Sequence, residues 1–192
     1  MKTIIFDTET TDIKPGRICQ LTYVILEEES IIGKNFFFTV NYISPGAQAV
    51  HGFSIEQLEE WSDGRRFFSS AEEIANDFED AAIVGHNVDF DISFLKAELD
   101  NAGFEFSYAC KIDTMKEFAP FCNLPHYKYA YKFPKLTELM GCLNITDQEI
   151  EKAAINFFGQ QGQGFHDARF DVAATTLAYY KRQELLEGLD DC

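Results

Sequence analysis

The stretch Thr3-Ile4-Ile5-Phe6-Asp7-Thr8-Glu9-Thr10 changes from apolar to acidic within a few residues. Its composition predicts a buried strand over residues 3–10 that ends in a polar site. Because side chains alternate between the faces of a strand, Asp7 and Glu9 point the same way, with Cα atoms about 6–7 Å apart. Such a pair repels unless a cation lies between the acids, and hard divalent ions prefer oxygen ligands. Two solvated acids at a strand end are an equally good interpretation of this pair taken alone.

The rest of the chain alternates between predicted strands and helices. Gly103 stands where a C-terminal helix cap is expected, and Ser54 and Ser69–Ser70 stand where N-terminal caps are expected. Three strands with short connections suggest an antiparallel meander, and the elements that follow predict an α/β layer fold with a mixed sheet in a single domain, residues 1–192. The predicted strands are 3–10, 17–28, 34–41, 81–85 and about 110–112; the predicted helices are about 89–102, 135–143 and 167–187.

The composition, 46% hydrophobic, is that of a globular protein. The N-terminal apolar run is too short for a signal peptide, and no stretch approaches the roughly 20 apolar residues needed to span a bilayer. We therefore expect a cytoplasmic protein without a membrane partner. The five cysteines form no CxxC pair, so we expect buried free thiols rather than a zinc site or disulfides.

A formal net charge of −16 argues against a protein that covers long stretches of phosphate backbone with Lys and Arg. Residues 127–135 run against this trend, because they combine tyrosine and phenylalanine with lysine. Lysines there suit phosphates and tyrosines suit stacked bases, although alternating aromatics equally suit a packed strand or loop.

A second polar segment, residues 85–91, joins a predicted buried strand to a helix. Asn87 or Asp89 at that junction suits a helix cap. Asp91 lies one turn before Leu95 on the same side of the helix, so we expect Asp91 to face inward or toward a cleft.

A third segment contains His166 and Asp171. Five residues correspond to about 500° of helix rotation, which places the two side chains roughly 140° apart. If both serve one site, His166 must lie in the loop just before the helix, with Asp167 as the cap. The glycines of residues 159–164 predict a mobile lead-in to that loop. A surface histidine in a loop is the alternative interpretation.

Together these three segments resemble the exonuclease motifs of the DnaQ-like, or DEDDh, family. The matches are D-x-E in FDTETT, N-x-x-F-D in HNVDFD and H-x-x-x-x-D in HDARFD, in the family's order and spacing. HGFSIEQL at 51–58, Ile112-Asp113-Thr114 and FPKLTEL at 133–139 resemble minor family features, so the resemblance touches most of the chain from residue 4 to 180. It implies a ribonuclease H-like fold, a five-stranded mixed sheet flanked by helices on both faces.

The resemblance also implies a chemistry. Asp7, Glu9, Asp91 and Asp171 would hold two divalent metal ions, Mg²⁺ or Mn²⁺, and His166 would be the general base. Further substrate contacts would come from Thr8, Thr10, Thr11, Asn87 and Phe90, although Thr8 points to the opposite strand face from the acids and Phe90 suits the core. Two such ions would change the net charge from −16 to −12, and an enzyme of this family needs to bind only the few nucleotides at the end of its nucleic-acid substrate. The negative charge of the chain is therefore a smaller obstacle to binding.

The implied activity is that of a metal-dependent 3′–5′ exonuclease, which releases nucleoside 5′-monophosphates from the 3′ end of single-stranded or frayed DNA in proofreading or repair. The implied partner is a nucleic-acid 3′ end, with DNA preferred and RNA possible, and a DNA polymerase is a further candidate. An exoribonuclease that trims RNA 3′ ends remains the main alternative, because the same five residues serve both sugars. A haloacid dehalogenase-type phosphatase needs D-x-D where this chain has D-x-E, and an inactive binding module is not favoured because all five expected residues are present.

Overall fold

Strands of both orientations form one sheet in the computed structural model of the protein. The model describes residues 2–13, 16–28, 30–159 and 164–190, and of residues 188–190 it describes the backbone alone. Within these ranges the strands are β1 (Thr3–Thr10), β2 (Ile18–Glu27), β3 (Ser30–Phe37), β4 (Ala82–Gly85) and β5 (Cys110–Asp113). Their order is β3-β2-β1-β4-β5. β1, β2 and β3 pair antiparallel, whereas β4 is parallel to β1 and β5 to β4. The predicted meander and mixed sheet are confirmed.

Helices cover both faces of this sheet. They are α1 (Pro45–His51), α2 (Ile55–Ser62), α3 (Ala71–Phe78), α4 (Val88–Ala102), α5 (Thr114–Glu117), α6 (Ala119–Cys122), α7 (Leu136–Leu143), α8 (Asp147–Phe158) and α9 (Ala168–Asp190), with a 3₁₀ turn at Phe67–Ser70. On one face, Ile4 and Phe6 pack with α3 and α4. On the other face, Ile5 packs with Val172 of α9. The expected α/β architecture with helices on both faces is therefore confirmed.

The central position of β1 explains its sequence. Because it has a neighbouring strand on each side and helices above and below, Ile4 and Ile5 are fully buried on opposite faces. This alternation continues beyond the apolar half, so Asp7 and Glu9 share the α9 face with Ile5. The pairing with β2 slips by one residue between Glu9 and Thr10, a β-bulge of the kind often found beside active sites.

Several predicted boundaries need correction. The third strand runs from Ser30 to Phe37, not over 34–41, because its register pairs Ser30 with Glu27 and ends where Phe38 and Val40 turn into the core. Ser54 caps α2 through a capping box, as predicted, but the side chain of Ser70 makes no cap hydrogen bond. Gly103 ends α4 in the left-handed conformation, which confirms its predicted role.

Helices α1 and α8 were not predicted. Pro45 suits the first turn of α1, and Ser44 caps this helix through its side chain. Thr146 and Glu149 form a capping box at the start of α8, a signal that was present in the sequence.

The expectation for the cysteines was partly wrong. The four described cysteines are free, but only Cys19 is buried, while Cys110 is exposed at the start of the edge strand β5. Cys122 and Cys142 are half-buried. Among the helices of the described ranges, none combines the length and the apolar character needed to cross a bilayer.

Candidate active site

Four carboxylates from three segments converge at one edge of the sheet. Asp7 and Glu9 lie near the end of β1, Asp91 in the first turn of α4 and Asp171 in the first turn of α9. Since β1 and β4 are parallel, their carboxyl ends meet at the same edge, and α4 begins soon after β4 ends. The charges of the other three acids all act on Asp7. The structure thus brings together the four acids that the sequence analysis singled out.

Asp91 is held in place by the first strand. Its Oδ1 accepts a hydrogen bond of 2.7 Å from the hydroxyl of Thr8 and one of 3.0 Å from the backbone N–H of Thr8. Thr8 does point to the opposite strand face from Asp7 and Glu9, as predicted, but Asp91 reaches it there from the start of α4. The hydroxyl therefore orients an acid of the cluster, a role that sequence spacing did not suggest.

His166 lies in the turn immediately before α9, as its spacing from Asp171 required. Its backbone N–H donates to Oδ2 of Asp171 at 3.1 Å, and its φ of 72° lies in the left-handed region. Possible ligand atoms of Glu9, His166 and Asp171 lie within 4.8 Å of one another. The predicted glycine-rich lead-in falls largely on residues 160–163, which lie outside the described residues.

The electrostatics of this cluster are those of crowded acids. Burial, and then the charges of Asp91, Asp171 and Glu9, raise the pKa of Asp7 well above its usual range. Burial and the neighbouring carboxylates raise the pKa of Glu9 to about 9. The pKa values of Asp91 and Asp171 rise to about 7, again chiefly through burial.

A divalent cation fits this arrangement. Oδ1 of Asp171 is buried without a hydrogen-bond partner among the described residues. An unpartnered carboxylate oxygen within a group of desolvated acids is costly unless a cation compensates it. The donor set is rich in carboxylate oxygens, which suits hard divalent ions.

Asp167 is a further acid that the sequence analysis assigned only as a helix cap. It does cap α9, since its Oδ1 accepts a hydrogen bond of 3.1 Å from the N–H of Arg169. The Arg169 guanidinium pairs with its Oδ2 at 2.6 Å. Gln20 of β2 donates to Asp167 at 3.2 Å and accepts from the N–H of Ala168 at 3.2 Å. These bonds fix the start of α9, and hence Asp171, against the sheet.

The remaining predicted substrate-contact residues lie around the cluster. Thr10 ends β1 and Thr11 follows it, and Thr10 turns its hydroxyl to the carbonyl of Asp12 at 2.9 Å. The backbone of Asn87 adopts the left-handed helical conformation, with a φ of 67°. Its N–H donates a hydrogen bond to Asp113 at 3.0 Å, which connects the segment of residues 85–91 to the end of β5. Phe90 is half-buried against Phe94, as expected for a core position. Their contacts with a substrate stay predictions.

His51 of the segment HGFSIEQL also approaches the cluster. Its Nδ1 accepts from the N–H of Phe53 at 3.0 Å, and its pKa is lowered by burial and, to a smaller extent, by the nearby His166, against an opposing effect of the Thr10 backbone. The sequence analysis noted this histidine only as a minor family feature.

The five-stranded mixed sheet with helices on both faces has the ribonuclease H-like fold. Among solved structures, the zinc-bound form of the E. coli exonuclease I–single-stranded DNA complex matches with a TM-score of 0.68 at 18% identity, covering 99% of this chain and 43% of that one. At that identity the likeness establishes the fold.

Curated relatives point to one group of enzymes within that fold. The DNA polymerase III subunit epsilon of Rickettsia felis is 33% identical over 108 residues, 52% of this chain and 44% of the relative. The 3′–5′ exonuclease DinG of Bacillus subtilis is 32% identical over 121 residues, 59% of this chain and 12% of the relative. The chain thus spans less than half the length of either, and no protein-family model matches it. The resemblance to the DnaQ-like exonucleases is confirmed by these relatives.

Proposed function

We propose that the protein is a metal-dependent 3′–5′ exonuclease that releases nucleoside 5′-monophosphates from DNA, acting on single-stranded or frayed ends in proofreading or repair. The observation that carries the proposal is the convergence of Asp7, Glu9, Asp91 and Asp171 beside His166, although the chain separates them widely. The relatives, which are named as a polymerase subunit and as an exonuclease, support it.

The four acids would hold two divalent ions, Mg²⁺ or Mn²⁺. Asp7, on which the other three charges act, would be shared by both ions. Glu9 and Asp171, whose ligand atoms lie together, would serve the first ion, and Asp91 the second. When bound, such ions lower the pKa of water and stabilise the leaving oxygen of a phosphodiester.

His166 would act as the general base. Its side chain is exposed at the rim of the cluster, so a water molecule there can reach it, while its backbone is fixed to Asp171 at 3.1 Å. The imidazole would accept the proton of the attacking water. Thr8 would act indirectly, because its two hydrogen bonds orient Asp91.

The 3′ end of the nucleic acid would be contacted by four residues around the cluster, Thr10, Thr11, Asn87 and Phe90. DNA is the proposed polymer, with RNA as the alternative, because the matched exonuclease I structure is a complex with single-stranded DNA. Association with a DNA polymerase is a further proposal, which rests on the name of the epsilon relatives.

The test is a gel assay on 5′-labelled single-stranded DNA and its RNA counterpart, with Mg²⁺, with Mn²⁺ and with chelator. We expect a ladder that shortens from the 3′ end only when a divalent ion is present, with the DNA degraded faster. Asp7→Asn serves as the inactive control. Faster cleavage of RNA would reassign the polymer, and no cleavage of either strand by the wild type would refute the activity.

A further inference from the structure

The connection between α6 and α7 is unusual in composition. We call residues 124–135 the aromatic loop. From residue 118 to 137 the chain contains three lysines and no acid, although the whole protein has 32 acids against 16 Lys and Arg. The same stretch contains six phenylalanines and tyrosines. A basic, aromatic stretch in an acidic protein suggests a surface that binds a ligand with both negative charge and planar aromatic groups, such as the phosphates and bases of a nucleic acid.

Three rings of this loop form an exposed stack. The ring of His126 lies 4.7 Å from that of Tyr127 and 5.0 Å from that of Tyr129, with interplanar angles of 27° and 24°. Nδ1 of His126 accepts hydrogen bonds from the N–H groups of Lys128 and Tyr129 at 3.1 and 3.0 Å. Lys132 N–H closes the loop on the carbonyl of Leu124 at 3.0 Å. The stack is therefore built into the loop backbone.

Most of this aromatic surface is not used for packing. Tyr127 is 94% exposed and Tyr129 is 63% exposed. The alternative interpretation of residues 127–135 as a packed strand or loop is right only in that they form a loop: their side chains do not belong to the core clusters of the described residues. His126, Tyr129, Ala130, Tyr131, Lys132 and Phe133 line a cavity of about 550 Å³.

The loop also presents positive charge. Lys132 pairs with Glu138 at 2.5 Å, whereas Lys128 makes no ion pair with the described residues and lies 5.5 Å from the ring centre of Tyr129. Lys135 is exposed, and it too has no ion pair within the described ranges. A lysine beside an exposed ring, with a second exposed lysine at the end of the same loop, matches a phosphate backbone with unpaired bases.

The far end of the loop is fixed beside the acidic cluster. Nε2 of His86 lies 3.0 Å from the carbonyl oxygen of Pro134, and its Nδ1 lies 3.1 Å from the hydroxyl of Thr114. His86 directly follows β4, whose carboxyl end lies next to that of β1. Neighbouring strands are about 4.8 Å apart, so the loop is attached within a few nucleotides of the cluster.

We propose that the aromatic loop binds single-stranded nucleic acid leading into the acidic cluster, with unpaired bases stacked on Tyr127 and Tyr129 and backbone phosphates beside Lys128 and Lys135. This inference rests on the proposed function, which requires the 3′ end of the bound nucleic acid to lie in the acidic cluster. Duplex is a poor ligand for this surface, because its bases are already stacked within the helix and their faces are not available to tyrosine.

The first test measures binding without cleavage. Fluorescence anisotropy of a labelled single strand of about 15 nucleotides, in chelator, is compared for the wild type, Tyr127→Ala/Tyr129→Ala and Tyr127→Phe/Tyr129→Phe. The alanine pair should weaken binding about 10-fold or more, while the phenylalanine pair, which keeps the rings, should bind like the wild type. Lys128→Ala/Lys135→Ala should lower the salt dependence of binding, and Lys152→Ala, an exposed lysine of α8, should not. Equal binding by the wild type and the alanine pair would overturn the proposal.

The second test separates the loop from the catalytic chemistry. With Mg²⁺, the alanine pair should lose about 10-fold or more in kcat/KM on the single strand, yet hydrolyse the p-nitrophenyl ester of thymidine 5′-monophosphate at the wild-type rate, because this small ester reaches only the cluster. An equal loss on both substrates would show a merely structural role and overturn the proposal. A wild type that cleaves neither substrate would refute the exonuclease activity, while the anisotropy result would still decide whether the loop binds single strands.

Discussion

Thr8 donates two hydrogen bonds to one oxygen of Asp91, from its hydroxyl at 2.7 Å and from its backbone N–H at 3.0 Å, across 83 residues of sequence. The pair joins the central strand to the start of α4. Both bonds favour the ionised carboxylate, and they oppose the rise in the pKa of Asp91 that burial causes. Thr8 therefore both aims the carboxylate and helps to keep it charged.

Thr8→Val removes the hydroxyl and keeps the branched shape. We expect the Mg²⁺ concentration that gives half-maximal cleavage to rise about 10–100-fold, the usual effect of losing a partner that orients a metal ligand. Thr8→Ser, which keeps the hydroxyl, should remain close to the wild type. A titration of initial rate against Mg²⁺ measures both variants, and an unchanged midpoint for Thr8→Val would show that the bond does not serve a metal.

Asp7→Asn should abolish cleavage, because it neutralises the acid on which all the other charges of the cluster act. The same change relieves repulsion among buried acids, so the metal-free variant should melt at or above the wild-type temperature in chelator. Thermal unfolding and the gel assay are run on the same sample. Appreciable cleavage by the folded variant would contradict the central position of Asp7.

His166→Asn tests the general base without disturbing the turn. Asparagine tolerates the left-handed φ of 72° found at this position better than alanine does. We expect the rate to fall about 10²–10⁴-fold, the typical contribution of a general base. The Mg²⁺ midpoint should change little, because the proposed ligands are carboxylates; a large shift in that midpoint would instead make His166 a metal ligand.

The raised carboxyl pKa values predict a pH dependence of stability. The folded protein binds protons more tightly than the unfolded chain at Glu9, whose pKa is about 9, and at Asp91 and Asp171, whose pKa values are about 7. In chelator, the free energy of unfolding should therefore fall as the pH rises from about 4 toward 9.

Melting temperatures at several pH values, with and without Mg²⁺, measure this effect. The ion should stabilise the protein most at high pH, where the cluster is ionised. For Asp7→Asn, the melting temperatures with and without Mg²⁺ should differ less than they do for the wild type. A wild-type response to Mg²⁺ that does not depend on pH would contradict a metal site in the cluster.

Gly33 makes possible the close packing of α8 on β3. A Cβ at this position would lie 2.1 Å from the backbone oxygen of Phe157, so Gly33→Ala must displace the helix. We expect a loss of about 1–3 kcal/mol in the free energy of unfolding. Gly141→Ala is the matched control, because nothing lies within 4 Å of its added Cβ and alanine favours the helix. Denaturant unfolding of both variants checks the prediction.

Local patterns were sufficient to predict most of the sheet and the faces of its side chains. Strand alternation placed Asp7 and Glu9 together, and the rotation of a helix placed His166 outside α9. Both inferences use geometry that is fixed within a few residues. The start of the third strand was missed because it depends on the register with β2, which is a contact between segments.

The supporting contacts of the site were harder to predict for the same reason. Thr8 and Asp91 meet across 83 residues, and Gln20 and Asp167 across 147. No spacing rule predicts such pairs, because the packing of α4 and α9 on the sheet creates them. Helix α8, in contrast, began at a visible capping box and could have been predicted.

The contact between His86 and the Pro134 carbonyl holds the aromatic loop at a set distance from the acidic cluster, which we call its reach. If the ring stack holds a strand whose end lies among the acids, the number of nucleotides between the two is set by the protein and not by the base sequence. An oligonucleotide shorter than that reach would meet only the acids, and changes in the loop would leave its hydrolysis unaffected. The shortest strand that responds to Tyr127→Ala would thus measure, in nucleotides, the distance between gripping and cutting.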